Sequence, residues 1–175
     1  MACQVENSLD EGFGIRVETV GGHRRDTPVG EFPQLSMYYL PVLCMHCDQP
    51  PCLDACPIEA IYQRDDGIVL VDEGRCNGCQ VCLEACPYDA LIYELEKDKV
   101  WKCTLCAPRV AQGLWPFCAL CCEMEAISFG DLADPSSQVS NLRYQREAYV
   151  LQPELGIRPA IYYCPPKGGR VEGMA

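Results

Sequence analysis

The chain has 175 residues, 15 of them cysteine, and a formal net charge of −11 at pH 7. An acidic chain without a basic patch is not expected to bind nucleic acid and suits docking to a basic protein surface. No apolar run reaches the roughly 18 residues that a membrane span needs, and the first residues carry no secretory signal.

The 49% hydrophobic content is inflated by the cysteines, and 14 prolines with 14 glycines point to a loop-rich chain stapled by what its thiols hold. Residues 1–43 contain Cys3 and an alternating stretch, Ile15 to Val20, that reads as a strand ended by Gly21-Gly22. The apolar and aromatic run Leu35–Leu43 leads directly into Cys44.

Two cysteine runs follow: Cys44-x2-Cys47-x4-Cys52-x3-Cys56-Pro57 and Cys76-x2-Cys79-x2-Cys82-x3-Cys86-Pro87. The second has the spacing of bacterial ferredoxins, where the fourth cysteine ligates the other cluster of a pair. A cubane iron–sulfur cluster needs four converging thiolates. Three come from one tight loop and the fourth must arrive from elsewhere. The expected sets are therefore Cys44, Cys47, Cys52 and Cys86 for one cluster, and Cys76, Cys79, Cys82 and Cys56 for its partner. Gly78 permits the tight backbone before Cys79, and Pro57 and Pro87 fix φ after each fourth cysteine. His46 is expected to pack or hydrogen-bond near a sulfur rather than to ligate. Zinc sites are the alternative, but they favour separated Cys-x-x-Cys pairs with histidine, and this chain has only His23 and His46.

An internal repeat is visible. Cys52-Leu-Asp-Ala-Cys56-Pro-Ile-Glu-Ala-Ile61 recurs 30 residues later as Cys82-Leu-Glu-Ala-Cys86-Pro-Tyr-Asp-Ala-Leu91. Residues 60–63 and 68–71 flank Asp65-Asp66-Gly67 and read as a β-hairpin. Each unit is expected to be a cluster loop, a short helix carrying the fourth cysteine, and a strand.

A third, altered copy places Cys103-x2-Cys106 eleven residues ahead of Cys118-x3-Cys122, with Glu123 where the other copies have proline. Cys103, Cys106 and Cys118 form the three-thiol set, and Cys3 is the expected fourth ligand, since Ala2-Cys3 matches Ala55-Cys56 and Ala85-Cys86. Cys122 is then a fourth-type cysteine owed to a further cluster, whose first three cysteines would lie upstream of Met1 if the natural chain begins earlier. Cys121 and Cys164 are expected to be packed, structural thiols. Asp134-Pro135 suggests an N-cap and first turn of a helix running to about Tyr144, and the chain from Tyr149 onward reads as an extended arm.

The chain resembles the iron–sulfur electron-transfer subunits of the dimethyl sulfoxide reductase family of molybdopterin oxidoreductases. The resemblance rests on residues 44–52, on Lys102-Cys103-Thr104-Leu105-Cys106, on residues 129–137, on Leu155-Gly156-Ile157-Arg158-Pro159 and on Tyr162-Tyr163, with residues 2–7 resembling the close of the family's first motif. It implies an α+β fold of tandem bacterial-ferredoxin-like [4Fe-4S] domains, loop-rich, with an extended C-terminal arm. Residues 1–43 and 101–135 would form an outer half, 44–100 an inserted two-cluster half, and 136–175 a short helix and arm. It further implies three [4Fe-4S] clusters on this chain, a fourth if the first motif is completed upstream, and no catalytic residue. The implied partners are a large catalytic subunit with a molybdenum or tungsten pterin and a membrane anchor exchanging electrons with quinone. Location would be peripheral to the cytoplasmic membrane, on either side. A free-standing polyferredoxin and a zinc-stabilised interaction module are the rival readings.

Overall fold

The computed structural model describes residues 2–9, 14–24 and 26–165. The regular elements are short, as the proline and glycine content requires. In order they are α1 (Ala2–Asn7), β1 (Arg16–Val20), β2 (Tyr38–Val42), α2 (Pro51–Asp54), β3 (Ile61–Gln63), β4 (Val69–Val71), α3 (Val81–Ala85), β5 (Leu91–Glu94), β6 (Lys99–Lys102), α4 (Ala107–Val110), α5 (Phe117–Leu120) and α6 (Gln138–Gln145). This is the loop-rich α+β architecture expected.

The strands form three antiparallel hairpins. β1 pairs with β2 with Glu18 opposite Leu40, β3 with β4 with Tyr62 opposite Leu70, and β5 with β6 with Ile92 opposite Trp101. Gly67 takes φ +82° in the β3–β4 turn, the left-handed conformation that glycine adopts without strain. The repeat is visible in space: α2 packs on α3 and β4 on β6.

Two apolar clusters hold the chain together, and cysteines belong to both. One comprises Ala60, Ile61, Val69, Leu91 and Val100 around Cys52, Cys76 and Cys82. The other joins Leu40 and Val42 of β2 to Met45, Cys47, Tyr88 and Tyr163. With so few aliphatic residues per core, thiols occupy positions that larger domains give to leucine.

Tyr163 brings the C-terminal arm into that second cluster. Tyr149 and Tyr163 bridge each other, and the Tyr163 hydroxyl donates to the Pro41 carbonyl at 2.8 Å. The arm also meets the Cys44–Cys52 loop backbone to backbone. Asp48 N–H donates to Arg158 O at 2.9 Å, Gln49 N–H to Ile157 O at 3.2 Å, and Ala160 N–H to Met45 O at 2.9 Å. A loop this irregular cannot satisfy its own amides, and the arm supplies the missing acceptors and donors. The arm therefore wraps the domain, at least through residue 165; residues 166–175 lie outside the described residues.

Two local expectations are corrected. The helix begins at Gln138, not after Asp134. Asp134 Oδ1 accepts from the Ser136 N–H at 2.8 Å in a local turn, and Ser137 Oγ caps the helix by accepting from Ser140 N–H at 3.2 Å. The short helices of the repeat carry the third cysteine rather than the fourth: Cys52 lies in α2 and Cys82 in α3, while Cys56 and Cys86 follow the helix ends.

Candidate iron–sulfur site

All 15 cysteines are unpaired, and twelve of them fall into three groups by mutual electrostatic influence. In the first, burial pushes the Cys47 thiol up to about 11, with Cys44 and Cys86 adding to the rise. Burial likewise pushes Cys52 up to about 12, reinforced by Cys44, Cys86 and Cys47 and opposed by Lys102. Cys44, Cys47 and Cys52 come from one loop, and Cys86 arrives from the other copy of the repeat.

The second group has the reciprocal composition. Burial pushes Cys82 up to about 11, and Cys56, Cys79 and Cys76 raise it further. Cys56 is the exception in its titration. Burial acts to raise it, but the N–H groups of Ala60, Ile58 and Ile61 and the Arg75 guanidinium together hold it below the ordinary thiol value. Ala60 N–H donates directly to Cys56 Sγ at 3.2 Å.

The third group joins the N-terminal segment to the altered repeat. Burial raises Cys3, and Cys106 and Cys118 add to it. Burial pushes Cys103 up to about 12, with Cys44 as the next cause and Cys3 a smaller one. Cys3, Cys103, Cys106 and Cys118 line one small cavity together with Leu43 and Pro116. The α1 helix that carries Cys3 packs on α5, and Glu6 reaches the Arg109 guanidinium at 3.4 Å. The likeness of Ala2-Cys3 to Ala55-Cys56 does not extend to local backbone: Cys3 lies inside a helix, and its sulfur is approached by the Asn7 side-chain amide at 3.5 Å.

Grouped thiols that raise one another's pKa resist ionising together, and a bound cationic centre removes that resistance because ligation requires the thiolate. Among the described residues no three His, Cys, Asp or Glu side chains form a site for a single metal ion. Four thiols close enough to interact, spread around a shared space and met by backbone N–H groups, fit a larger polynuclear centre. Gly78, between Cys76 and Cys79, adopts φ +70°. A Cβ there would meet the Asp98 carbonyl oxygen at 2.6 Å, so the loop closes only with glycine.

His46 packs and hydrogen-bonds. It is 3% exposed, its Nδ1 accepts from Val69 N–H at 3.1 Å, and burial followed by the nearby Lys102 charge lowers its pKa to about 3. The proton of the neutral ring therefore sits on Nε2, which has no protein partner. Cys121 and Cys164, expected to be packed, are both exposed, and Cys122 is half-buried.

Sequence reasoning assigned no role to Lys102, which is 2% exposed. A signal was present: in β6, Val100 and Lys102 are two residues apart, so they share the inward face.

A family profile described as a 4Fe-4S dicluster domain matches residues 35–132. The chain is 40% identical to an iron–sulfur-type subunit of the tetrathionate reductase of Salmonella typhimurium over 93% of this chain and 64% of that one. It is 42% identical to the beta chain of the perchlorate reductase of Dechloromonas aromatica over 84% of this chain and 45% of that one. Against protein NrfC of Escherichia coli it is 37% identical over 97% of this chain and 75% of the relative.

Proposed function

We propose a function on one plain premise: this chain belongs to the 4Fe-4S dicluster domain family. It is an electron-transfer iron–sulfur subunit that relays single electrons between a large molybdenum- or tungsten-pterin catalytic subunit and a further redox partner, commonly a quinone-linked membrane anchor. It works peripherally to the membrane as part of that complex. Two of the relatives are named as subunits of tetrathionate and perchlorate reductases, which supports a role inside such a complex. Among the described residues no helix is long and apolar enough to cross a membrane.

The single observation that carries the reading is the exchange of fourth cysteines: Cys86 joins the Cys44 group and Cys56 joins the Cys76 group. In this assignment Cys44, Cys47, Cys52 and Cys86 hold one cluster, and Cys76, Cys79, Cys82 and Cys56 hold the second. Cys103, Cys106, Cys118 and Cys3 hold the third, and Cys122 is the fourth-type ligand of a further one. When bound, each cluster supplies a site that accepts and returns one electron. The chain's own residues fix the thiolates in place, aim N–H groups such as those of Ala60 and Leu105 at their sulfurs, and exclude water with Met45 and Val69, each 1% exposed.

Iron and acid-labile sulfide analysis of anaerobically isolated protein, with EPR of the reduced form, tests this. Three cluster signals at a minimum are expected, together with co-isolation of a pterin-containing subunit. Protein lacking iron and sulfide would refute the redox reading. An active, partner-free carrier would refute the subunit reading.

A further inference from the structure

The ammonium group of Lys102 lies at the boundary between the first and third thiol groups. Its Nζ donates to Cys44 Sγ at 3.5 Å, to the Cys103 carbonyl at 3.0 Å and to the Val69 carbonyl. An ammonium has three protons, and three acceptors surround this one. None of the three is a carboxylate. Burying a charge with only a thiol and two carbonyls is costly unless compensating negative charge stands close by. Here that charge can come only from the thiolates of the flanking groups: Cys44 on one side and Cys103, the next residue in the chain, on the other.

The position is held from both sides. Val69 accepts from Lys102 through its carbonyl and donates through its N–H to the buried His46 ring at 3.1 Å. A single residue of β4 therefore ties together the Cys44–Cys47 turn and the end of β6, where Cys103 begins the third group. The Cys44 and Cys103 thiols are near enough that Cys44 is the second cause, after burial, of the rise in the Cys103 pKa.

Resting on the ligand sets of the preceding section, we propose that Lys102 is a positioning and potential-setting residue that links two neighbouring clusters. It raises the reduction potential of the Cys44 cluster most, that of the Cys103 cluster less, and offsets the repulsion that an electron on one exerts on an electron entering the other. The electron gained by one cluster is the one its neighbour loses, and Lys102 exchanges no proton in the step. A fixed positive charge favours the more negative, reduced state in proportion to its nearness, and the second cluster, bound by Cys76, Cys79, Cys82 and Cys56, is not a contact of Lys102.

The test is an EPR-monitored redox titration of the intact protein, isolated anaerobically with its partners, comparing wild type with Lys102→Met and Lys102→Arg. In Lys102→Met the reduced-to-oxidised ratio of the Cys44 cluster at a fixed ambient potential should fall about tenfold or more, equivalent to about 59 mV for one electron. The Cys103 cluster should shift less and the Cys76 cluster should not move; Lys102→Arg should keep the Cys44 cluster near its wild-type potential. An unchanged Cys44 cluster, or an equal shift of all three, overturns the proposal. Because Lys102→Met strips two carbonyls of their donor and can block assembly, the wild-type protein carries an independent test. With ¹⁵N at lysine Nζ, pulsed electron–nuclear double resonance on the Cys44 signal should show a ¹⁵N coupling, and its absence overturns the proposal. Wild-type protein without iron and sulfide would instead refute the ligand reading and this inference with it, whereas wild-type protein with all its clusters and a silent Lys102→Met refutes only the inference.

Discussion

Gly78→Ala separates two costs that are usually confounded. Gly78 has φ +70° and a Cβ there would lie 2.6 Å from both the Asp98 carbonyl oxygen and Asp98 Oδ1. Gly67 has φ +82° with nothing within 4 Å of a Cβ. Both variants suffer the left-handed penalty of roughly 1–2 kcal/mol for an L-residue, and both gain about 0.4–1 kcal/mol from a stiffer unfolded chain. Those contributions cancel in the comparison. What remains at Gly78 is the displacement of a backbone carbonyl that cannot swing away as a side chain can, an overpacking cost of about 1–3 kcal/mol. The strain falls on the Cys76–Cys79 turn, which Lys99 also clamps by donating to the Cys76 carbonyl. The assay is anaerobic guanidinium denaturation followed by loss of visible absorbance, with the midpoint and slope read separately. Gly78→Ala should unfold earlier than Gly67→Ala at unchanged slope, and should weaken the EPR signal of the Cys76 cluster before that of the Cys44 cluster. Equal midpoints for the two variants would refute the reasoning, because they would mean that the Asp98 contact contributes nothing.

Cys56→Ser should damage the cluster of the Cys76 group and leave that of the Cys44 group; EPR showing the reverse would break the exchanged-ligand assignment. Cys3→Ala should alter only the Cys103, Cys106 and Cys118 signal, and an unchanged spectrum would remove Cys3 from the ligand set. Tyr163→Phe removes the hydrogen bond to Pro41 O and should cost about 1 kcal/mol, seen as earlier release of the arm in hydrogen exchange at Asp48 and Gln49. Tyr88 is pushed up to about 12, first by burial and then by the Cys47 and Cys86 thiolates, so its folded pKa exceeds the ordinary value of 10.0. Its contribution to stability is therefore full below pH 10 and is lost as pH rises through 12; Tyr88→Phe should flatten alkaline denaturation across that window.

The thiol grouping was legible because cysteine spacing restricts which sulfurs one loop can gather, and the hairpins were legible because Gly67 and alternating residues 61–63 and 69–71 have few other readings. The arm was not. Its contacts to the Cys44–Cys52 loop run through backbone atoms of Ile157, Arg158 and Ala160, and backbone hydrogen bonds leave no mark on residue identity. The helix start was misplaced because Asp134 and Ser137 both carry capping chemistry, and only the fold decides which is used. The exposure of Cys121 and Cys164 was missed for a related reason: a thiol outside every motif has no pattern to place it, and its usual burial is a tendency that neighbours override.

The third repeat shows what the fourth-cysteine turn requires. Cys56, Cys86 and Cys122 each donate their N–H to the carbonyl three residues back, at 3.1, 3.3 and 3.3 Å. Each is followed three residues later by an acidic residue of positive φ: Glu59 at 52°, Asp89 at 49° and Glu125 at 50°. Ala60 and Ala126 both donate their N–H to the preceding cysteine sulfur at 3.2 Å. Glu123 replaces proline without disturbing any of this. Proline at that place removes an N–H that the turn cannot use; Glu123 keeps the N–H and directs it to the Cys121 carbonyl at 3.1 Å. The Cys-Pro signature is therefore one solution to a spare donor and not a condition of the turn. It follows that the loss of proline at residue 123 says nothing against Cys122, whose sulfur is presented by the same backbone that presents Cys56.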